Sequence, residues 1–207
     1  MSTTQSGVPT GTPVITARSR WRVVDMVVAA VLGVAGGFFL WAVAVLWEPM
    51  TKPLAVWPPL SAILVGLFLV PGVVGGLVVR KPGAAVFTEL VAAVLEALLG
   101  NSWGFSTVYY GLLEGLGAEL VFLLFVYRRW TALVAVLAGA GAGLACGVLD
   151  TTLYYPDFPF VSKSAYIAMA IVSGAVVAGL GGHLLTRALA ATGALSAMAS
   201  GRRRELV

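Results

Sequence analysis

The sequence predicts an all-α membrane protein, a bundle of six transmembrane helices with both chain termini in the cytoplasm. Hydrophobic residue types make up 59% of the 207 residues, and charged types make up only 11%. A soluble domain carries about 25% charged residues, because polar side chains must cover its core. The composition therefore excludes a soluble enzyme, a nucleic-acid-binding protein and a disordered protein, and the length suits one domain.

The apolar residues fall into six blocks. A membrane-spanning helix needs about 20 residues, and only the third block, with 16, is shorter. That block carries Glu89 and Glu96, and alone it could be a re-entrant segment. We expect a disordered cytoplasmic tail over 1–20, the transmembrane domain over 21–192 and a basic cytoplasmic tail over 193–207. The blocks are 23–47, 54–79, 84–99, 107–127, 131–153 and 164–190.

The placement of basic residues favours six crossings. If every block spans, eleven Lys and Arg residues share one side and only Lys52 and Lys163 lie on the other. Cytoplasmic loops are enriched in Lys and Arg, so the crowded side is predicted to be cytoplasmic. The outer loops then lie near 48–53, 100–106 and 154–163. The eleven are Arg18, Arg20, Arg22, Arg80, Lys81, Arg128, Arg129, Arg187, Arg202, Arg203 and Arg204.

Five acidic residues lie within the predicted spans, and no Lys or Arg lies deep in any of them: Glu89, Glu96, Glu114, Glu119 and Asp150. Each ionised acid at the bilayer centre costs about 2.5–3.5 kcal/mol on insertion scales. One interpretation is a cavity whose missing counter-charge is a cationic ligand or a proton. The other is that some acids are protonated, or bonded to Ser, Thr and backbone groups.

Helical spacing sorts these acids. Glu89 and Glu96 are seven residues apart and share one helix face. Glu114 and Glu119 are five apart, about 140° round a helix. Both cannot point into one narrow pocket, so we expect one of them to bond a neighbouring helix.

Aromatic and amide side chains gather at the predicted outer ends. One explanation is a belt of aromatic residues at the membrane interface. The other is an aromatic box that stacks on a planar or cationic ligand. The set comprises Trp47, Trp57, Asn101, Trp103, Tyr109, Tyr110, Tyr154 and Tyr155. From the acids and this set we select nine candidate ligand-binding residues: Glu89, Glu96, Asn101, Trp103, Tyr110, Glu114, Glu119, Asp150 and Tyr154.

Small residues recur every four positions along the first predicted helix, at Ala29, Gly33 and Gly37. Such rows let another helix approach closely. The partner is either another helix of the same bundle or a separate membrane subunit.

Several catalytic and nucleotide-binding motifs are missing. The sequence has no G-x-x-x-x-G-K-[ST] and no H-E-x-x-H, so neither a P-loop nor a metalloprotease site is expected. His183 is the only histidine and Cys146 the only cysteine. We predict no cofactor, no metal site and no enzymatic activity. A membrane enzyme and a structural adaptor stay as weaker alternatives.

One stretch resembles a known family. Arg80-Lys81-Pro82-Gly83-Ala84-Ala85, followed by Glu89, Glu96 and Leu98-Leu99-Gly100-Asn101, is similar to the YkoE family. Gly115-Leu116-Gly117-Ala118-Glu119 and Asp150 extend the similarity. YkoE proteins are substrate-binding S components of energy-coupling factor (ECF) transporters. The match over 80–119 is specific, and the rest agrees chiefly in hydropathy.

The resemblance implies an S component that takes up thiamine or its hydroxymethylpyrimidine precursor from outside a bacterial plasma membrane. It implies a transmembrane coupling (T) subunit and cytoplasmic ABC-type ATPase subunits as partners. Family members dock through an Ala-x-x-x-Ala pattern on their first helix, to which Ala29, Gly33 and Gly37 correspond here. The alternative is a proton-coupled transporter of a small organic cation that uses Glu89 and Glu119 as a proton relay.

Overall fold

The computed structural model describes residues 20–196, 198, 200 and 201, and within these residues the regular structure is entirely helical. The α-helices are α1 (Val23–Thr51), α2 (Val70–Val79), α3 (Ala84–Leu99), α4 (Ser106–Leu124), α5 (Ala132–Leu153), α6 (Phe160–Ser173) and α7 (Gly182–Ala191). Two 3₁₀ segments, Lys52–Leu54 and Pro58–Leu67, precede α2, and a π-helical segment, Gly174–Gly181, joins α6 to α7. Residues 1–19 of the predicted disordered tail over 1–20, the four arginines Arg18 and Arg202–Arg204, and most of the predicted basic tail lie outside the described residues.

The chain crosses the bundle six times. Five apolar segments are long enough to span a membrane: Val23–Leu54, Pro58–Val79, Ser106–Leu124, Ala132–Leu153 and Phe160–Ala191. The short helix α3 supplies the sixth crossing. At its start, Trp21 Nε1 donates to Pro82 O at 2.9 Å, and at its end Trp41 Nε1 donates to Gly100 O at 3.1 Å. Trp21 precedes α1 and Trp41 lies in its outer half, so α3 runs alongside α1 for most of its length, traverses the bundle and is not re-entrant.

The two ends of the bundle differ in charge. We call the end that holds Trp21, Pro82 and Trp130 the inner end, and the end that holds Trp41, Gly100 and Tyr154 the outer end. Among the described residues seven Lys and Arg lie at the inner end: Arg20, Arg22, Arg80, Lys81, Arg128, Arg129 and Arg187. Only Lys52 and Lys163 lie at the outer end. The positive-inside rule assigns the inner end to the cytoplasm.

The second crossing is not the continuous helix that its hydropathy predicts. Its first part, the ten residues Pro58–Leu67, forms a 3₁₀ segment. Proline lacks a backbone N–H, so Pro71, in the first turn of α2, cannot continue an α-helix from the residues before it. Ser173 on α6 supports this segment. Its hydroxyl accepts from Gly66 N at 2.9 Å and donates to Ile63 O.

The small-residue row on α1 packs inside the bundle, which is the first of the two alternatives that the sequence left open and corrects the assignment of these residues to docking by resemblance. Ala29 is fully buried. A Cβ placed on Gly33 would lie 2.7 Å from Val91 Cβ, and one on Gly37 would lie 2.7 Å from Leu95 Cβ. Both neighbours belong to α3. The glycines therefore let α1 and α3 approach closely, and the row is not exposed to another subunit.

Close backbone packing also shapes the sixth crossing. Gly139 and Gly143 of α5 pack against the backbone at Gly174 and Ala170. The π-helical segment begins at Gly174, where this contact is closest. These glycine rows again serve the packing of the bundle itself.

The domain extends beyond its predicted boundary at residue 192. Leu195 is 5% and Met198 is 1% exposed. Both join an inner-end cluster with Ala29, Val78 and Val79. The first part of the predicted C-terminal tail is therefore packed structure, because its apolar side chains complete this cluster.

Candidate ligand-binding site

A cavity of about 310 Å³ lies between the helices towards the outer end. Ligand pockets in proteins measure about 300–1,000 Å³, so this cavity suits a small molecule. Residues from α1, α3, α4, α5 and α6 and from the irregular second crossing line it: Leu40, Trp47, Val65, Phe68, Glu89, Ala93, Glu96, Trp103, Ser106, Thr107, Tyr110, Gly111, Glu114, Cys146, Asp150, Tyr154, Tyr155 and Tyr166.

Glu89 forms the deep wall of the cavity and is 1% exposed. Gly72 is the third residue of α2, where a backbone N–H has no acceptor within the helix. This N–H donates to Glu89 Oε2. The second oxygen, Oε1, has no hydrogen-bond partner among the described residues. A buried unpaired oxygen is costly, and the side chain that carries it lines the cavity.

Glu96 lies two turns further along the same face of α3, as its spacing of seven residues from Glu89 predicts. Asn101 Nδ2 donates to Glu96 Oε1 at 2.9 Å. The Asn101 carbonyl in turn accepts from the backbone N–H groups of Trp103, at 2.9 Å, and Gly104, at 2.5 Å. Asn101 thus fixes both the Glu96 carboxylate and the turn that carries the Trp103 side chain.

A polar network holds Asp150 on α5. Its Oδ1 accepts from Tyr110 Oη at 2.9 Å, and its Oδ2 accepts from Tyr166 Oη at 2.7 Å and from Cys146 Sγ at 3.6 Å. Because both oxygens are engaged, Asp150 orients the two tyrosines. Glu114, 5% exposed, lines the same part of the cavity from α4.

Aromatic rings form the outer wall. Trp47, Phe68 and Trp103 pack edge to face, with ring centroids 5.4–6.0 Å apart. Tyr110 and Tyr154 lie 5.9 Å apart, and the Tyr154 hydroxyl is 3.2 Å from Ser106 Oγ. Such rings provide faces for a flat or cationic ligand.

Ionisable side chains of opposite formal charge are not represented equally in the cavity wall, because its lining holds acidic groups and, among the described residues, no basic ones. Glu89, Glu96, Glu114 and Asp150 line it, and no Lys, Arg or His does so within the described chain. Acid side chains inside a membrane are rare and mark ligand or ion pathways. The site can accept hydrogen bonds from a ligand and can balance a positive charge, and it offers no matched cation for an anionic ligand.

The structure places seven of the nine predicted residues on the cavity wall: Glu89, Glu96, Trp103, Tyr110, Glu114, Asp150 and Tyr154. Asn101 lies behind Glu96 and positions it. Glu119 does not reach the cavity, which corrects its assignment as a ligand contact.

Glu119 caps the inner end of α3. Its Oε1 accepts from Gly83 N at 2.6 Å and from Tyr127 Oη at 2.7 Å, and its Oε2 accepts from Ala85 N at 3.0 Å. A carboxylate at a helix N-terminus meets unpaired N–H groups and the positive end of the helix dipole. Burial and the bond to Glu119 raise the pKa of the Tyr127 phenol, so Tyr127 stays the donor.

Sequence reasoning missed part of the wall. Trp47 and Tyr155 belong to the set that could equally be an interfacial belt, and Cys146 lies four residues before Asp150, on its helix face. Tyr166, which is 1% exposed, could have been found from the sequence, because it is the one tyrosine in the apolar block 164–190. Phe68, Ser106 and Thr107 carried none, since they line the cavity only through the irregular second crossing and the first turn of α4.

Six crossings around an acid-lined, outward-placed cavity define a membrane-embedded solute-binding protein. Comparison with known proteins agrees. A family model described as "ABC-type cobalt transport system, permease component" matches residues 24–145. The YkoE protein of Bacillus subtilis (strain 168), named as an HMP/thiamine permease, is 36% identical over 140 residues, which cover 66% of this chain and 69% of that protein.

A solved structure titled "Crystal structure of an S-component of ECF transporter" superposes with a TM-score of 0.85 at 29% identity, over 90% of this chain and 94% of that one. The chain belongs to the YkoE family of ECF-transporter S components. It is therefore a multi-pass membrane protein, consistent with a bacterial plasma membrane, and its relatives are transporter components rather than enzymes.

Proposed function

We propose that this chain captures thiamine, or its hydroxymethylpyrimidine precursor, from the outer side of the membrane and chemically transforms nothing. The observation that carries the proposal is the cavity with four carboxyl groups, aromatic walls and no lining cation. Both ligands contain a flat aminopyrimidine, and thiamine adds a fixed positive charge. The name of the Bacillus relative supports the same ligand class.

The wall residues suggest separate roles. Glu89 Oε1 is unpartnered in the described chain, so it can accept from the exocyclic amine of the pyrimidine. Glu96 and Glu114 can offset a thiazolium charge, and Trp103 or Tyr110 can stack on a ring. Closure of the outer loops over 52–57 and 154–159 would then exclude water.

The energy for transport would come from partners. The sequence has no P-loop, so a coupling subunit and ABC-type ATPases would drive reorientation of the loaded bundle. Because Ala29, Gly33 and Gly37 are packed against α3, the coupling subunit would contact other, exposed faces of the bundle.

A proton-coupled transporter is less well supported. Its relay needs both Glu89 and Glu119, but three donors hold Glu119 at the start of α3. Uptake that survives loss of the ATPase and fails with a protonophore would favour this alternative.

Fluorescence titration of the purified protein tests the proposal. Four of the sequence's six tryptophans, Trp41, Trp47, Trp57 and Trp103, lie at the outer end, so thiamine or the pyrimidine should change the emission saturably and riboflavin should not. Replacing both Glu96→Gln and Glu114→Gln should weaken thiamine binding about 100-fold, since a hydrogen bond to a charged group contributes about 1.5–3 kcal/mol.

The matched control is Glu48→Gln, which neutralises an exposed carboxylate outside the cavity wall. It should bind as the native chain does. Unchanged affinity in the double variant, or equal saturation by riboflavin, would contradict the proposed function.

A further inference from the structure

A second, smaller cavity lies at the inner end of the bundle, whereas the ligand site lies towards the outer end. Its volume is about 50 Å³, several times the space that one bound water needs. Residues from α2 and α7, together with Trp130 and the last described turn, line it: Leu77, Arg80, Trp130, His183, Thr186, Arg187, Ala190 and Ser200.

The polar lining consists largely of hydrogen-bond donors. His183 and Arg187 are four residues apart and share one face of α7. Neither side chain has a hydrogen-bond or ion-pair partner among residues that the structure describes. Arg80 closes the other side, where its Nε donates to Leu77 O at 3.0 Å and its guanidinium lies 5.5 Å from the centre of the Trp130 ring.

A second observation concerns an unsatisfied polar group beside the cavity. Ser200 is one of the lining residues, and its Oγ is buried with no hydrogen-bond partner in the described chain. Burying a hydroxyl without a partner is unfavourable. A guest that accepts a hydrogen bond would remove this cost.

The charge of the lining selects the class of guest. Two arginines and a histidine face the cavity, and no Asp or Glu of the described chain lines it. Arginine binds phosphate through its planar set of N–H groups. The location, at the cytoplasmic membrane surface, exposes the site to lipid headgroups and to soluble phosphate alike.

We propose that this inner-end cavity is a binding site for a phosphate-bearing anion, formed by Arg187, Arg80, His183 and Ser200. The proposal is independent of the outer ligand site. An anionic phospholipid headgroup and inorganic phosphate share the chemistry that the cavity recognises.

Thermal unfolding of the purified full chain in a neutral maltoside detergent tests the site. The additives are sodium phosphate, dihexanoyl-phosphatidylglycerol and dihexanoyl-phosphatidylcholine, each compared with sodium chloride at equal ionic strength. The native chain should gain Tm saturably with phosphatidylglycerol, with phosphate, or with both. A response to phosphatidylglycerol alone identifies a lipid headgroup, and a response to phosphate shows that the free anion suffices.

Two variants decide whether the effect belongs to this cavity. Arg187→Gln should raise the midpoint concentration of the stabilising additive about tenfold or more, because a charge-assisted hydrogen bond is lost. Arg128→Gln removes the same charge from an exposed inner-end position outside the cavity and should leave the midpoint unchanged. Equal midpoints in the two variants, equal stabilisation by phosphatidylcholine, or no stabilisation at all would overturn the proposal.

Discussion

Glu114 and Glu119 lie on the same helix, α4, and have different roles because their side chains point in different directions. Glu114 faces the cavity from α4, where no lining cation of the described chain balances it. Glu119 faces the start of α3 and accepts three hydrogen bonds there. Their spacing of five residues, about 140° round the helix, dictates this division, and the structure decides which of the two takes which task.

The hydrogen bonds that Glu119 accepts at the start of α3 predict a variant that is less stable but binds thiamine as the native chain does. Glu119→Gln should lower the free energy of unfolding by about 1–3 kcal/mol, because a neutral amide accepts poorly from Gly83, Ala85 and Tyr127. Thiamine affinity should not change. Thermal unfolding and fluorescence titration of the same sample measure both quantities, and the exposed Glu48→Gln serves as control. A tenfold loss of affinity without a change in Tm would return Glu119 to the binding site.

At the scale of elements, the broken second crossing builds the deep wall of the cavity. Backbone polar groups inside a bilayer must be satisfied within the protein, so a helix break is tolerated only where partners exist. Glu89 supplies the partner for Gly72 N, and Ser173 supplies the partner for Gly66 N. The break therefore holds Glu89 through one oxygen, while the other oxygen is buried without a partner in the described chain.

The contact between α1 and α3 predicts the effect of filling the small-residue row. Gly33→Leu should destabilise the isolated chain by about 1–3 kcal/mol, because the new side chain would collide with Val91 and with the backbone of Thr88. Ala35→Leu adds similar bulk at an exposed position of the same helix and should leave Tm unchanged. Thermal unfolding in detergent, without any partner subunit, is the measurement.

The opposite result has a clear meaning. If the isolated Gly33→Leu chain unfolds like the native chain and only its assembly with other subunits fails, the row docks a partner after all. The packing described for α1 and α3 would then be wrong.

At the scale of the whole molecule, the bundle separates two chemistries along its axis. The outer end holds the acid-lined aromatic cavity, and the inner end holds most of the described basic residues and the small cavity lined by Arg80, His183 and Arg187. An even number of crossings brings residues 20 and 201 to the same, inner end. This polarity is the basis of both proposals, capture of a thiamine-type ligand at the outer end and binding of a phosphate-bearing anion at the inner end.

Single-cysteine labelling tests the orientation. Cys146 is the only cysteine in the sequence and is buried, so the native chain should resist a membrane-impermeant maleimide and serve as the blank. Lys163→Cys should react in intact cells, because it lies at the outer end. Arg129→Cys should react only after the cells are permeabilised. The reverse pattern would place both termini outside.

Much of the site was predictable because acids inside an apolar sequence are conspicuous and helical spacing sorts their directions. Seven of nine candidates line the cavity, and Glu89 and Glu96 share a wall as their separation requires. The errors arose where side chains meet across helices. Nothing in the local sequence tells whether the Glu119 carboxylate or the Gly33 row faces an internal or an external neighbour.

The sequence by itself determined a membrane bundle, its six crossings and the charge difference between its ends, because hydropathy and basic residues act along the chain. Only the tertiary structure decided the break before α2, the π-helical turn after α6, the internal use of the small-residue row and the split between Glu114 and Glu119. These features depend on which helices touch, and that contact pattern joins residues far apart in the chain through close packing and shared hydrogen bonds.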